Sequence, residues 1–136
     1  MQFTQDELDE LIKNPKPLNL AGFDLSKADL SGVDLSGAYL NAAKLRYADL
    51  SNANLSDTNL SGANLHGATL LEADLSDANL VGADLSGAKL NDARLNYANL
   101  VNTILSGVDL TGAKYNKGTK WIDGFDPLEA GAILEE

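Results

Sequence analysis

A chain of 136 residues with 20 acidic and 10 basic side chains carries a net charge of −10 and has no cysteine. That balance argues against a nucleic-acid interface, which needs a basic footprint, and the missing thiols exclude disulfides and cysteine nucleophiles. No stretch is long and apolar enough to cross a bilayer, and the start has no basic run leading into an apolar one. The expectation is a cytoplasmic protein that neither binds nucleic acid directly nor enters a membrane.

Residues 1–17 predict a helix that shuts one end of the fold. Thr4 and Glu7 make a capping box, with Phe3 and Leu8 placed as the matching hydrophobic staple. Leu8, Leu11 and Ile12 form the apolar stripe, and Asn14-Pro15 ends the helix.

From Leu20 to Leu110 every fifth residue is leucine, and Tyr115 takes the next place. Two positions earlier stands a small residue, as in Ala28, Ala48, Ala68 and Ala113. The residue just before the leucine is usually acidic or an amide (Asp29, Asp49, Asn54, Asn64, Asp84), and a small polar pair comes after it (Ser31-Gly32, Ser61-Gly62, Ser86-Gly87). A continuous helix would scatter these leucines around its circumference, because five residues advance about 140° beyond a full turn. A strand would need strict alternation. A short extended piece ending in a corner satisfies the pattern. The leucine and the small residue two before it then share the inner face, and the Ser-Gly or Asn-Asp pairs lie at the corner.

Tandem units such as Ala-Asp-Leu-Ser-Gly and Ala-Asn-Leu-Ser-Asp resemble the pentapeptide-repeat proteins of the cyanobacterial type. The resemblance implies an all-β fold, a right-handed parallel quadrilateral β-helix with four pentapeptides per coil. About five coils over residues 18–117 are expected, with short helical caps at both ends. Residues twenty apart then stack at about 4.8 Å. Lys44 should lie over Asp24, Lys89 next to Asp109 and Arg94 next to Asp74, whereas Asp57 on Asp77 and Glu72 on Asp92 set like charges together. Phe23 begins the inner column as an end plug, and Thr58 and Thr103 make the small position polar.

Residues 118–136 read as the second cap. Trp121, Ile122 and Phe125 surround a turn at Asp123-Gly124, and Asp126-Pro127-Leu128-Glu129 has the form of a helix start. A short helix through Leu134 is expected, weakened by Gly131.

Two surface features stand out. Glu72, Asp74 and Asp77, with Asp57 and Asp92 one coil away, form the densest acidic region; its carboxylates suit a basic partner or a hard cation, but flat walls offer no cage and favour a simply solvated face. Val81 and Val101 should stack on one wall, with Tyr97 and Ile104 near the adjoining corners, as an apolar patch open to a partner or covered by the C-terminal segment. His66 is the sole histidine and, read alone, has no partner for metal binding or nucleophile activation. The column Ser36, Ser56 and Ser76 has no base in reach. No cofactor and no enzymatic activity are expected. The sequence reads as a protein-binding or scaffold module with an unknown protein partner, a monomer or at most a weak dimer. The resemblance also implies an alternative, a DNA mimic that binds DNA gyrase and modulates quinolone sensitivity.

Overall fold

The computed structural model describes residues 1–136. One local unit recurs along the repeat. Each leucine carbonyl accepts the backbone N–H of the small residue three positions on, as from Ala28 to Leu25 and from Ala68 to Leu65 (both 3.0 Å). The second corner residue has positive φ throughout, from Gly22 (72°) to Gly112 (76°). This is the φ signature of a type II turn, which favours glycine or asparagine. Lys27, Ala42, Tyr47 and Glu72 adopt it nonetheless, at φ 57–64°.

Where Asp or Asn stands before the leucine, it holds the corner from outside. Its Oδ1 accepts the backbone N–H two residues on, from Ser26 to Asp24 (3.0 Å), Ser56 to Asn54 (3.0 Å) and Ser86 to Asp84 (2.9 Å). Where serine comes after the leucine its hydroxyl often adds a second bond, 2.7 Å at Asp34 and at Asn59. Asp and Asn suit this role because the short side chain reaches its own backbone two residues ahead.

Between corners a single outward residue pairs in parallel with the residue twenty positions on. The first wall is the column Asn19, Tyr39, Asn59, Asn79, Asn99, Lys120; the second is Asp24, Lys44, Asn64, Asp84, Ile104. The third is Asp29, Asp49, Thr69, Lys89, Asp109, and the fourth is Asp34, Asn54, Asp74, Arg94, Lys114. Ladder bonds such as Leu35 N to Asn54 O (2.8 Å) and Leu55 N to Asp74 O (2.7 Å) lock the register. Leu35, Leu55 and Leu75 therefore lie one above another, fully removed from solvent. Burying one such leucine contributes about 1.5–3 kcal/mol. Thr58 and Thr103 donate their buried hydroxyls back to Leu55 O (2.7 Å) and Leu100 O (2.8 Å), so neither costs an unpaired group.

The helix α1 spans Gln5–Leu11, with the capping box between Thr4 and Glu7 formed in both directions. Leu8 is buried, and Phe3 meets Phe23 edge-on with ring centroids 5.3 Å apart. Side chains here satisfy the first coil's edge. Gln2 donates its N–H to Asp24 O and accepts from Asp24 N; Gln5 bonds both Asp29 N (3.0 Å) and Asp29 O (2.9 Å). Lys16 donates to Asp34 O.

The expected C-terminal helix does not form. Asp126 Oδ1 does accept the Glu129 N–H (3.2 Å), but the turn stops at Gly131, whose φ is 94°. Beyond it, strand β2 (Ile133–Leu134) pairs in parallel with β1 (Lys114–Tyr115). Ile133 N and Glu135 N gain ladder bonds of 2.7 Å to Ala113 O and Tyr115 O, which a continuing helix would forgo. The period also slips. Lys120 pairs with Asn99 and Ile133 with Lys114, one residue late and then one early. The inserted residue lies in the Asn116–Thr119 turn, where the Thr119 hydroxyl bonds Leu95 O (2.8 Å). Trp121 stacks on Phe125 (5.2 Å) and meets Tyr115 edge-on (5.5 Å).

Candidate functional site

The corner between the second and third walls carries the most connected polar cluster. His66 Nδ1 lies 2.8 Å from Ser86 Oγ, and His66 Nε2 lies 3.1 Å from the Tyr47 hydroxyl. Ser86 Oγ in turn donates to Asp84 Oδ1 (2.6 Å). The Tyr47 ring stands edge-on to the imidazole at 5.4 Å, with the Arg46 guanidinium 5.8 Å from the tyrosine ring centre. Burial pushes the Asp84 carboxyl up, but the Ser86 hydroxyl and amide outweigh it, aided by His66 and Arg46, and hold it below its ordinary value.

His66, without a partner when read alone, thus gains two hydrogen-bond neighbours, whereas Ser36, Ser56 and Ser76 lie on another corner, between the fourth and first walls. Residues 47, 66 and 86 are one coil apart, so the period itself carried the signal. The direction of the bonds decides the chemistry. Asp84 accepts from Ser86, so that hydroxyl's proton is committed and Nδ1–H of His66 donates to Ser86, while Nε2 meets the Tyr47 hydroxyl. A serine nucleophile would instead donate to the imidazole. The chain of donors fixes the ring in place.

The acidic candidates occupy two corners and one wall. Glu72 and Asp92 stack on the corner between the third and fourth walls, and Asp57 and Asp77 on the corner between the fourth and first; all four are exposed at positive φ. Asp74 lies on the fourth wall between Asn54 and Arg94, its Oδ1 accepting Ser76 N–H (3.0 Å). The Asp92 carboxylate leans over Gly112 of the next coil. No three acidic or histidine groups converge on a metal-sized site.

The cross-coil charge neighbours stand in the expected register, Asp24 by Lys44, Lys89 by Asp109 and Asp74 by Arg94. None closes to an ion pair; Arg94 Nη1 lies 3.9 Å from Glu135 Oε1 instead. The carboxylates are engaged by hydrogen-bond donors other than these cations. The Ser26 amide is the main cause lowering Asp24, the Ser31 hydroxyl that lowering Asp29, and the Asn91 side chain that lowering Asp109. The Ser36 hydroxyl and amide, with Lys16 at 3.0 Å, bring Asp34 down to about 2.

The apolar candidates do not share one patch. Val81 and Val101 are half-buried on the corner between the first and second walls, Ile104 is on the second wall, and Tyr97 is on the corner between the fourth and first. Tyr97 is 61% exposed. Its N–H donates to Asn116 Oδ1 (3.0 Å) and its ring covers Gly118. With Asn116, Lys117, Gly118, Glu135 and Glu136 it lines a shallow cavity of about 260 Å³.

The family model for pentapeptide repeats matches residues 18–46 and 73–112, in 8 copies. The chain belongs to the pentapeptide-repeat family. Proteins of this family form right-handed quadrilateral β-helices and are generally structural or binding modules. A pentapeptide repeat protein from the cyanobacterium Cyanothece 51142 is 36% identical, over 79% of this chain and 67% of that one, with a TM-score of 0.62. Another, from Nostoc PCC 7120, is 35% identical over 96% of this chain and 94% of its own, with a TM-score of 0.33. The plasmid-mediated fluoroquinolone resistance protein QnrB1 is 20% identical over 81% of this chain and 78% of that one, with a TM-score of 0.37. No curated protein matches the sequence.

Proposed function

We propose that this pentapeptide-repeat protein is a non-enzymatic module that binds a protein partner through Asp74 on the fourth wall and the acidic corners that flank it. The observation that carries the reading is the pair of like-charge columns, Glu72 with Asp92 and Asp57 with Asp77, on either side of Asp74. Like charges one coil apart repel, and a basic partner relieves the repulsion. The finer architecture belongs to the same proposal: about five coils, α1 and the Trp121–Phe125 segment as lids, and a monomeric, cytoplasmic protein that touches neither membrane nor nucleic acid.

Affinity capture from the native cell, with the full chain and with Glu72→Lys/Asp77→Lys/Asp92→Lys, tests it. A basic protein retained by the first and lost by the second is expected. Retention of the same proteins by both, or of none, overturns it.

The DNA-mimic reading rests on the same corner acids, which repeat at the coil spacing of about 4.8 Å. Against it, Lys44, Lys89 and Arg94 break the outward columns of three walls. A gyrase supercoiling assay with and without a quinolone separates the two readings; an unchanged response at micromolar protein removes the mimic.

A further inference from the structure

The two ends of the solenoid treat their open edges differently. At the first coil, Gln2, Gln5 and Lys16 supply partners to edge groups on the second, third and fourth walls. At the far end the chain continues along the first wall to Lys120 and along the fourth to Ile133–Leu134. Between them, residues 122–130 add no layer to the second and third walls, whose last paired residues are Ile104 and Asp109. The result is a ledge folded around the Ser106-Gly107 corner.

In every lower coil the leucine and corner N–H groups and the small-residue carbonyl bond the coil above, as with Leu85 N to Ile104 O, Gly87 N to Ser106 O and Asp109 N to Ala88 O. On the ledge the equivalent groups are Thr103 O, Leu105 N, Gly107 N, Val108 O and Leu110 N. None has a partner in the chain. Unpaired donors and acceptors at strand spacing are a template for an added segment.

We infer that this ledge takes an extended, lysine- or arginine-bearing peptide segment of a partner protein, added parallel to the second or third wall. The inference rests on the reading of the protein as a binding module and names a place for the partner. Charge selects the occupant. Asp109 borders the ledge, and Asp123, Asp126 and Glu129 are exposed on the segment that crosses the same end. Ile104, 51% exposed in the last layer of the second wall, offers apolar contact beside the backbone groups. A second copy fits poorly. Each copy carries a net charge of −10, and the extra layer at Lys120 and at β2 holds two ledges apart.

The test uses the full chain, isotope-labelled, and a short synthetic strand peptide in which lysine alternates with valine. Two controls accompany it, one with glutamate for lysine and one with N-methylated backbone amides. Saturable shifts and added exchange protection at Leu105, Gly107 and Leu110 are expected with the lysine peptide. The N-methylated peptide should lose them, and the glutamate peptide should bind about tenfold more weakly or less. Asp123→Lys/Glu129→Lys, which leaves the Asp126 turn intact, should abolish the preference. No saturation at millimolar peptide, shifts centred on Asp74 rather than Leu105, or amides at Leu105 and Leu110 already protected in a self-associated protein would each overturn the inference. A cellular partner captured through the acidic wall with no peptide effect on the ledge sinks this inference alone. Peptide binding at the ledge with no partner sensitive to the Glu72, Asp77 and Asp92 reversals sinks the wall reading alone.

Discussion

The ring of Tyr47 covers Gly67 one coil on, filling the space that a Cβ at residue 67 would need. Gly62, at the equivalent corner of the neighbouring column, has nothing near its own Cβ position. Both glycines have φ of 67°, so alanine carries the same backbone strain at each, about 1 kcal/mol. Gly62→Ala should cost that amount and nothing more. Gly67→Ala should also push Tyr47 off His66, seen as a shift of the imidazole resonances with a larger loss in urea unfolding.

Relief of the same strain is measurable where the corner residue is not glycine. Ala42 has φ of 59°, with Gly22 and Gly62 in the coils on either side. Ala42→Gly should raise unfolding free energy by about 0.5–1 kcal/mol. Asn52→Gly, at the same φ of 59°, should change little, because asparagine tolerates this region.

Acid should weaken the corners. The carboxyls of Asp29, Asp34 and Asp84 are lowered in the folded chain, Asp34 to about 2. A lowered carboxyl contributes stability that is fully present above its unfolded value, about 3.9, and lost as pH falls through its folded value. Unfolding free energy should therefore decline from about pH 4 toward pH 2. Asp29→Asn/Asp34→Asn/Asp84→Asn keeps the acceptor oxygen that Asn54 and Asn64 already use, and should flatten that decline. An unchanged slope would mean that these three carboxyls do not carry the decline.

The core is graded by which side of the wall a residue faces. Leu75 is fully buried mid-column, and Leu75→Ala should cost about 2–5 kcal/mol. Ser76, on the corner beside it, should tolerate alanine to within about 0.5 kcal/mol. Thermal and urea unfolding compare the two directly.

The five-residue period was enough to place Leu35, Leu55 and Leu75 in one column, because only an inward residue at every corner repeats so strictly. It also placed the charge neighbours, but not their bonds. Asp24 and Asp109 face lysines across the coil yet turn to their own corners, since a backbone N–H two residues away is always in reach and a flexible lysine is not. The role of the Asp or Asn before each leucine was hidden for that reason: it acts along the chain rather than between coils. The approach of Glu135 to Arg94 escaped prediction because Glu135 arrives through a register slip that begins in the Asn116–Thr119 turn. The missing C-terminal helix has the same origin, since parallel pairing of β2 with β1 depends on where that slip is recovered. His66 needed only the coil arithmetic, which brings Ser86 to one side of it and Tyr47 to the other.

Cysteine pairing tests the twenty-residue coil most directly, because the chain has no cysteine of its own. Asn59 and Asn79 are bridged neighbours on the first wall, whereas Asp74 lies on the fourth. Strand neighbours in register fall within the Cα separation of about 4.4–6.8 Å that a disulfide needs. Asn59→Cys/Asn79→Cys should oxidise rapidly to an intramolecular disulfide, and Asn59→Cys/Asp74→Cys should stay reduced under the same conditions. Equal oxidation of both pairs, or oxidation of the second alone, would contradict the fold.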